Sequence, residues 1–246
     1  MADADVRTLA ILACSACGRI AFDPIGDAVA SVDTAPADAM ADAADSDLLL
    51  HFDFEASTGL LYDSSPAHHA ATCTSCPTST TGQIGANAAA FAGAQCITIP
   101  DTPDLHPAAF TFAEWVNSTA SQRSTTFSRP LDGATDTTNT IEIYVDVMNL
   151  WHVGVDSTYE MTPSAVTLDA WHHVAGTFDG TTLTAYLDGG SLGTTMSTAT
   201  YAMDDYLIGC DINIGNQEEF FAGAIDDVRF YDRVLSATEI AALAAM

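Results

Sequence analysis

The stretch Glu218–Met246, EEFFAGAIDDVRFYDRVLSATEIAALAAM, carries the densest pattern in the chain, and the other segments are read around it. Ile225, Asp227, Arg229 and Tyr231 alternate with Ala224, Asp226, Val228 and Phe230, and a two-residue period puts successive side chains on opposite faces of a β-strand. Ser236 precedes Glu239 by three residues, the spacing of a capping box, in which each side chain satisfies a backbone N–H of the other. Ile240, Ala241, Leu243 and Ala244 then supply a short apolar face. The chain is therefore expected to end as strand, turn and short helix.

Upstream the texture is that of many short strands. Leu48, Leu50, Phe52 and Phe54 alternate with Leu49, His51, Asp53 and Glu55, and Tyr62-Asp63-Ser64-Ser65-Pro66 reads as a turn. Further strands are expected at 70–73, 96–100, 110–117, 124–131 and 140–148, and Leu183–Leu187 runs into Asp188-Gly189, a hairpin signal. Short strands punctuated by turns, with one terminal helix, specify an all-β sandwich of two sheets.

Several of these segments also carry a resemblance. Phe221-Ala222-Gly223-Ala224-Ile225-Asp226-Asp227-Val228-Arg229-Phe230-Tyr231-Asp232-Arg233-Val234-Leu235-Ser236, closed by Glu239 and Ile240, resembles the C-terminal signature of the LamG-like jelly-roll domain of the concanavalin A-like lectin/glucanase superfamily. GANAAAFA at 85–92, CITIP at 96–100, FTFAEWVN at 110–117, WHHVA at 171–175 and YLIG at 206–209 match other segments of that family in the same order, so the resemblance covers 48–246. It implies a jelly roll of two antiparallel sheets in which the first and last strands lie side by side. It also implies a structural Ca²⁺ held by an aspartate of the last strand, here Asp226, with oxygens from the first strand; Glu55 or the backbone near Asp53 would complete the shell, with Asp63 as a further candidate. The competing reading has Asp226 and Asp227 pairing with Arg229 or Arg233, or capping turns.

The chain has 246 residues, 48% of them apolar, enough for a sizeable core. It carries 33 acidic residues against 6 arginines and no lysine, a net charge of −27. Such a surface repels nucleic acid and anionic lipid and attracts cations. Residues 1–22 contain a short apolar stretch, and Ile11-Leu12-Ala13-Cys14 resembles a bacterial lipobox, making Cys14 the expected lipidation site. Other export, or a plain disordered N-terminus, is the alternative. Residues 23–47 hold seven aspartates among alanines and read as a disordered, extended linker. The expected setting is a secreted or cell-surface-anchored bacterial protein, with membrane contact only through that lipid. Cys73, Cys76, Cys96 and Cys210 are an even set that suits disulfides; of the three pairings four cysteines allow, Cys73–Cys76 with Cys96–Cys210 is favoured.

Catalytic signatures are weak. Glycosidases of this superfamily use a closely spaced set of acids on one strand face. The nearest stretch, Ile141–Val147, offers only Glu142 and Asp146, read as a solvated strand face. No catalytic residue is assigned. His68, His69, Cys73 and Cys76 lack zinc-ligand spacing. Glu114, on the parity of Phe110, Phe112 and Val116, must be paired if buried; an arginine such as Arg123 or Arg129 is the expected partner, and the alternative is that it marks a site. Trp171, His172 and His173 read as structural. Trp151, His152, Tyr144 and Tyr159 are the exposed-looking aromatics on which a ligand would stack. The sequence thus points to a non-catalytic extracellular module binding carbohydrate or a surface protein. A glycosidase-like enzyme or a purely structural, adhesive module is the alternative.

Overall fold

A computed structural model describes residues 46–133, 135, 137–202 and 204–246. The expected export signal at 1–22, the lipidation site Cys14 and linker residues 23–45 lie outside the described residues. The chain runs through β1 (Leu48–Phe52), β2 (Thr72–Cys73), β3 (Thr78–Thr81), β4 (Asn87–Ala92), β5 (Ile97–Ile99), β6 (Phe110–Ser118), β7 (Ser124–Pro130), β8 (Asn139–Val145) and β9 (Trp151–Val155). It continues through β10 (Thr158–Met161), β11 (His172–Phe178), β12 (Thr182–Leu187), β13 (Gly190–Met196), β14 (Tyr206–Ile208), β15 (Asp211–Asn213), β16 (Asn216–Glu218), β17 (Ala222–Tyr231) and helix α1 (Ala237–Leu243).

Two antiparallel sheets face each other. The first has the order β13-β12-β11-β6-β17-β4-β3, with β1 also paired to β17; the second is β10-β9-β8-β7-β14-β5-β2. The first and last strands are therefore neighbours, with His51 opposite Arg229 and Phe52 opposite Val228. One expectation about β17 fails in an instructive way. The register against β6 shifts between Asp226 and Arg229, and Asp227 has φ 49°, so the strand bulges there. The bulge moves Val228 and Phe230 onto the same interior face as Ile225, although plain alternation puts them on opposite faces.

The interior is filled from both sheets. Phe110 meets Phe178 at 5.2 Å and Phe230 at 5.7 Å, and Phe230 of the first sheet reaches Tyr206 of the second at 5.4 Å. Helix α1 starts with the capping box read from the sequence: Glu239 N donates to Ser236 Oγ (3.3 Å) and Ser236 N to Glu239 Oε2 (2.7 Å). Its buried Ile240 packs with Leu48, Ala113, Ala175, Tyr186, Tyr231 and Leu235 on the outer face of the first sheet. The helix thus packs on part of the outer face of that sheet.

Glu114 corrects an expectation. It is fully buried between the sheets and takes no arginine; its one partner is the hydroxyl of Thr126, and Oε2 has none. A bulge in β7 between Thr125 and Phe127 turns the Thr126 hydroxyl inward to meet it. Arg123 and Arg129 are engaged elsewhere, Arg129 with Asp101 at 3.1 Å and Thr140 at 3.2 Å. Burial pushes the Glu114 carboxyl up to about 8 from its usual 4.5, so it stays protonated in the folded chain at neutral pH. A raised carboxyl pKa means the folded state holds a proton that the unfolded state releases. Stability from this group is full below about 4.5 and falls as pH rises toward about 8. Glu114→Gln is expected to flatten that fall: relative to wild type, its unfolding free energy should gain on the order of 2–4 kcal/mol between pH 5 and pH 8 in urea titrations. Parallel profiles for the two chains would count against a neutral Glu114.

Candidate binding site on the second sheet

Alternation within the second sheet decides what its outer face carries. Ile141, Ile143 and Val145 of β8 and Trp151, Val153 and Val155 of β9 point into the core, which turns Glu142, Tyr144, His152 and Gly154 outward. Glu142 lies opposite Gly154, and Gly154 opposite Tyr159. Gly154 leaves a gap in this row, and the Tyr159 ring lies across it: a Cβ there would sit 2.2 Å from Tyr159 Cε1. That placement lets the Tyr159 hydroxyl donate to Glu142 Oε2 at 2.7 Å. In the next row Tyr144 and His152 stack at 4.3 Å with 5° between their planes. The Arg123 guanidinium caps the stack 3.9 Å above Tyr144.

Carboxylates gather beside the rings. Glu142, Asp211 and Glu219 place oxygens within 4.8 Å of one another, the one such group of three metal-ligating side chains among the described residues. Arg123 contacts Glu219 Oε1 at 2.5 Å and Glu142 Oε1 at 3.3 Å. The Thr125 hydroxyl lies between both glutamates, 3.1 Å from Glu142 Oε1 and 3.0 Å from Glu219 Oε2, and shares its one proton with them. Thr125 and Thr126, adjacent in the β7 bulge, therefore serve buried glutamates on opposite faces of one sheet. Glu142 is 1% exposed; burial, reinforced by the Asp211 charge, raises its carboxyl to about 7. Burial likewise raises Asp211. This corrects the reading of Glu142 as a solvated strand residue. Its presumed companion Asp146 instead closes the β8–β9 turn, accepting from Met148 N (2.8 Å) and Leu150 N (2.9 Å) and facing His152 at 3.2 Å.

Of the four aromatics expected to take ligand, the structure unites Tyr144, His152 and Tyr159 on this face. It excludes Trp151, which is 2% exposed and part of the core, because neighbours on one strand cannot share a face. Asp226, Glu55 and Asp63 do not assemble into one oxygen shell. Asp226 Oδ2 accepts from Gln83 N (2.8 Å) and Ile84 N (2.9 Å); Glu55 Oε1 accepts from Ala86 N (2.8 Å). Asp63 accepts from His51 N, Ser65 N and His69 N, at 2.8 to 2.9 Å. Each carboxylate is spent on backbone N–H groups of a turn, so as a set the three do not fit a shared Ca²⁺. The favoured cysteine pairing is present: Cys73–Cys76 and Cys96–Cys210 are disulfides. His173 is buried against Trp115, and His172 pairs with Asp188 at 2.9 Å, both in structural roles. The sequence reading missed Arg123, Asp211 and Glu219 as site residues, since they lie far from Glu142 along the chain and only strand pairing collects them. A second depression of ≈ 420 Å³, lined by 162–167 and parts of β11 to β13, carries only His172 as a titratable group.

This architecture of two facing antiparallel sheets is a jelly roll. The chain belongs to the Concanavalin A-like lectin/glucanases superfamily, whose model matches residues 91–241. Against curated proteins the sequence finds no match. Among solved structures it is similar to domain 4 of AbnA, a GH43 extracellular arabinanase from Geobacillus stearothermophilus, in complex with arabinotriose (TM-score 0.62, 20% identity, 80% of this chain and 98% of that one). It is also similar to the Ruminococcus gnavus IT-sialidase CBM40 bound to alpha2,3 sialyllactose (TM-score 0.55, 16% identity, 64% and 96%). A third likeness is to the binding domain of botulinum neurotoxin DC in complex with rat synaptotagmin II (TM-score 0.60, 11% identity, 82% and 52%). At these identities the likeness establishes the fold.

The Gly154 gap makes a direct test of how the face is built. Gly154→Ala is expected to expel the Tyr159 ring and cost about 1–3 kcal/mol, read in urea unfolding. Tyr159→Phe, which keeps the ring and deletes the hydroxyl, is expected to cost about 1–2 kcal/mol by leaving Glu142 Oε2 unpaired. A neutral Gly154→Ala would mean the ring does not rest on that glycine.

Proposed function

We propose that this domain is a non-catalytic extracellular binding module that takes a carbohydrate on the outer face of the second sheet. The observation that carries this reading is the row of Arg123, Tyr144, His152 and Tyr159 beside Glu142 and Glu219, on the sheet face that α1 does not cover. A sugar presents hydroxyls that both donate and accept, together with C–H faces that pack on rings. Arg123, 42% exposed at its side chain, and the part-exposed Glu219 supply a donor and an acceptor at the rim. Tyr144, only 9% exposed, works through the guanidinium lying on it. The recognition is therefore polar at its edge, with the aromatic stack as its support. The arabinotriose and sialyllactose complexes of similar folds support a glycan as the ligand, and the synaptotagmin complex keeps a protein partner as the alternative.

The converging carboxylates also bring a glycosidase into view, since paired acids about 5–5.5 Å apart define retaining enzymes. Burial speaks against it: both Glu142 oxygens accept side-chain hydrogen bonds, and Tyr159 and Arg123 stand between it and solvent. Two measurements separate the readings. On a glycan array the wild-type chain is expected to bind a defined glycan class, with Arg123→Gln weakening binding by about tenfold, or about 1.4 kcal/mol. A blank array would overturn the carbohydrate reading. Release of reducing ends from the bound glycan, abolished by Glu142→Gln, would establish the enzyme instead.

A further inference from the structure

The depression where β11 begins, β12 ends and β13 begins is built unlike the rest of this acidic surface. Its volume is ≈ 420 Å³, and none of the chain's 33 acidic residues lines it. Val166, Leu187 and Leu192 give it an apolar wall that rests on the core and keeps part of its surface open. Ser164, Thr167 and Ser191 stand exposed around that wall, and among the described residues no hydrogen bond reaches their hydroxyls. His172 adds the one aromatic ring. Its Nδ1 lies 2.9 Å from Asp188 Oδ2, so in the neutral ring, with the proton on that side, Nε2 is an acceptor; it is buried and has no partner. Both walls are fixed by the framework. Thr162 N donates to Trp151 O at 2.9 Å, Thr162 Oγ1 accepts from Trp151 N at 3.1 Å, and Val166 N donates to Asn149 O at 2.9 Å. Opposite them Asp188 N donates to His173 O (2.8 Å) and Asp188 Oδ1 accepts from His173 N (2.9 Å), which holds the hairpin turn to β11. The depression is therefore formed before any ligand arrives.

We infer that this depression is a second ligand site and that it takes the acetamido group of an N-acetylated sugar. A lining without charge favours a neutral group, because an ion placed there loses hydration and meets no counter-charge. The wall of Val166, Leu187 and Leu192 calls for a methyl, the unfilled His172 Nε2 for an N–H, and the serine and threonine hydroxyls for a carbonyl oxygen. An acetamido group carries all three within a few bonds. A plain hexose brings hydroxyls but no methyl, and a hydroxyl set against aliphatic side chains loses hydrogen bonds to water without replacing them. Water fills the space in the free protein, and a methyl that displaces it from the apolar wall gains affinity. The site shares no residue with the sheet face: Tyr159 of β10 belongs to that face, whereas the depression starts at Thr162 and is closed by strands of the first sheet. Two sites on one domain raise avidity for a repeating glycan.

The inference rests on this depression and not on the row of Arg123 and Tyr144, so the two readings fail separately. The full chain is titrated with the methyl β-glycoside of N-acetylglucosamine, with methyl β-glucoside and with N-acetylglycine amide, followed by saturation-transfer difference NMR and amide shift changes. The N-acetylated sugar is expected to bind at least about tenfold more tightly than either of the others, with its acetamido methyl the most strongly saturated group. Gly190 also lines the depression, and a Cβ there meets only Leu187 O at 3.5 Å. Gly190→Val therefore fills space without pushing on the chain, and should weaken binding by about tenfold or more while the melting temperature holds. His172→Phe, which keeps a ring and removes the acceptor, should also weaken it, and decides the matter should Gly190→Val fail to fold. Equal affinity for the two sugars, or binding that survives both substitutions, would overturn the site. Binding lost in Arg123→Gln but kept in Gly190→Val would overturn it in favour of the sheet face. An acetylated glycine amide that binds as tightly as the sugar would overturn the sugar as its source.

Discussion

The constraint on which the rest of this molecule depends is the ladder of β17. One ten-residue strand pairs with β6 along one side and with both β4 and β1 along the other. It can serve both halves only because of the bulge at Asp226–Asp227. That kink turns Ile225, Val228 and Phe230 to the same core and frees two carboxylates to act sideways. Asp226 takes the N–H groups of Gln83 and Ile84; Asp227 takes the His51 ring (2.8 Å) and Arg229 (2.9 Å). Burial lifts Asp226 to about 6, whereas its neighbour Asp227, with His51 and Arg229 to offset burial, stays below the usual carboxylate range. Identical adjacent residues thus differ because one meets only N–H dipoles and the other meets cations.

The same contrast explains how so acidic a chain folds with so few positive charges. Each of the four arginines among the described residues is already in an ion pair: Arg123 with Glu219, Arg129 with Asp101, Arg229 with Asp227, and Arg233 with Asp47 and Glu239. Many other placed carboxylates are held by backbone N–H groups. Asp53 binds Glu55 N, Asp179 binds Thr181 N and Thr182 N, Asp188 binds His173 N, and Asp204 binds Gly133 N. A sandwich with many turns offers many N–H donors that no ladder uses, and an aspartate is a short, strong acceptor for them. Much of the acidity is therefore turn architecture.

How much of this was legible in the sequence follows from the range of the signals. Period and capping are local, so β1, β6 and α1 with its Ser236–Glu239 box could be read in advance, while the neighbouring first and last strands were what the family resemblance implied. The bulges could not. An extra residue in β7 or β17 reverses parity without changing composition, which is why Val228 was placed wrongly and Glu114 was matched to an arginine rather than Thr126. Tyr144, His152 and Tyr159 were found because all three sit on one hairpin series, β8–β9–β10, whose alternation is regular. Trp151 was included against its own parity. Arg123, Asp211 and Glu219 were beyond reach, because strand order rather than spacing brings them to Glu142.

The carboxylates of the turns and those of the second sheet's outer face have different partners. Around Asp63 and Asp226 each carboxylate oxygen meets a donor, and such positions hold the loops to the sheets. On the outer face of the second sheet Tyr159, Thr125 and Arg123 surround Glu142, and Asn139 donates to Asp211 Oδ2. Helix α1 packs on the outer face of the first sheet against Leu48, Tyr186 and Tyr231, and beside them His51, Asp227 and Arg229 pair with one another. On the second sheet the part-exposed Arg123 and Glu219 mark the rim at which, on the proposed reading, a ligand from solution meets the chain. Placing the demand for an outside partner where the fold provides access, and nowhere near the turns that hold it together, lets binding change without disturbing the ladder of β17.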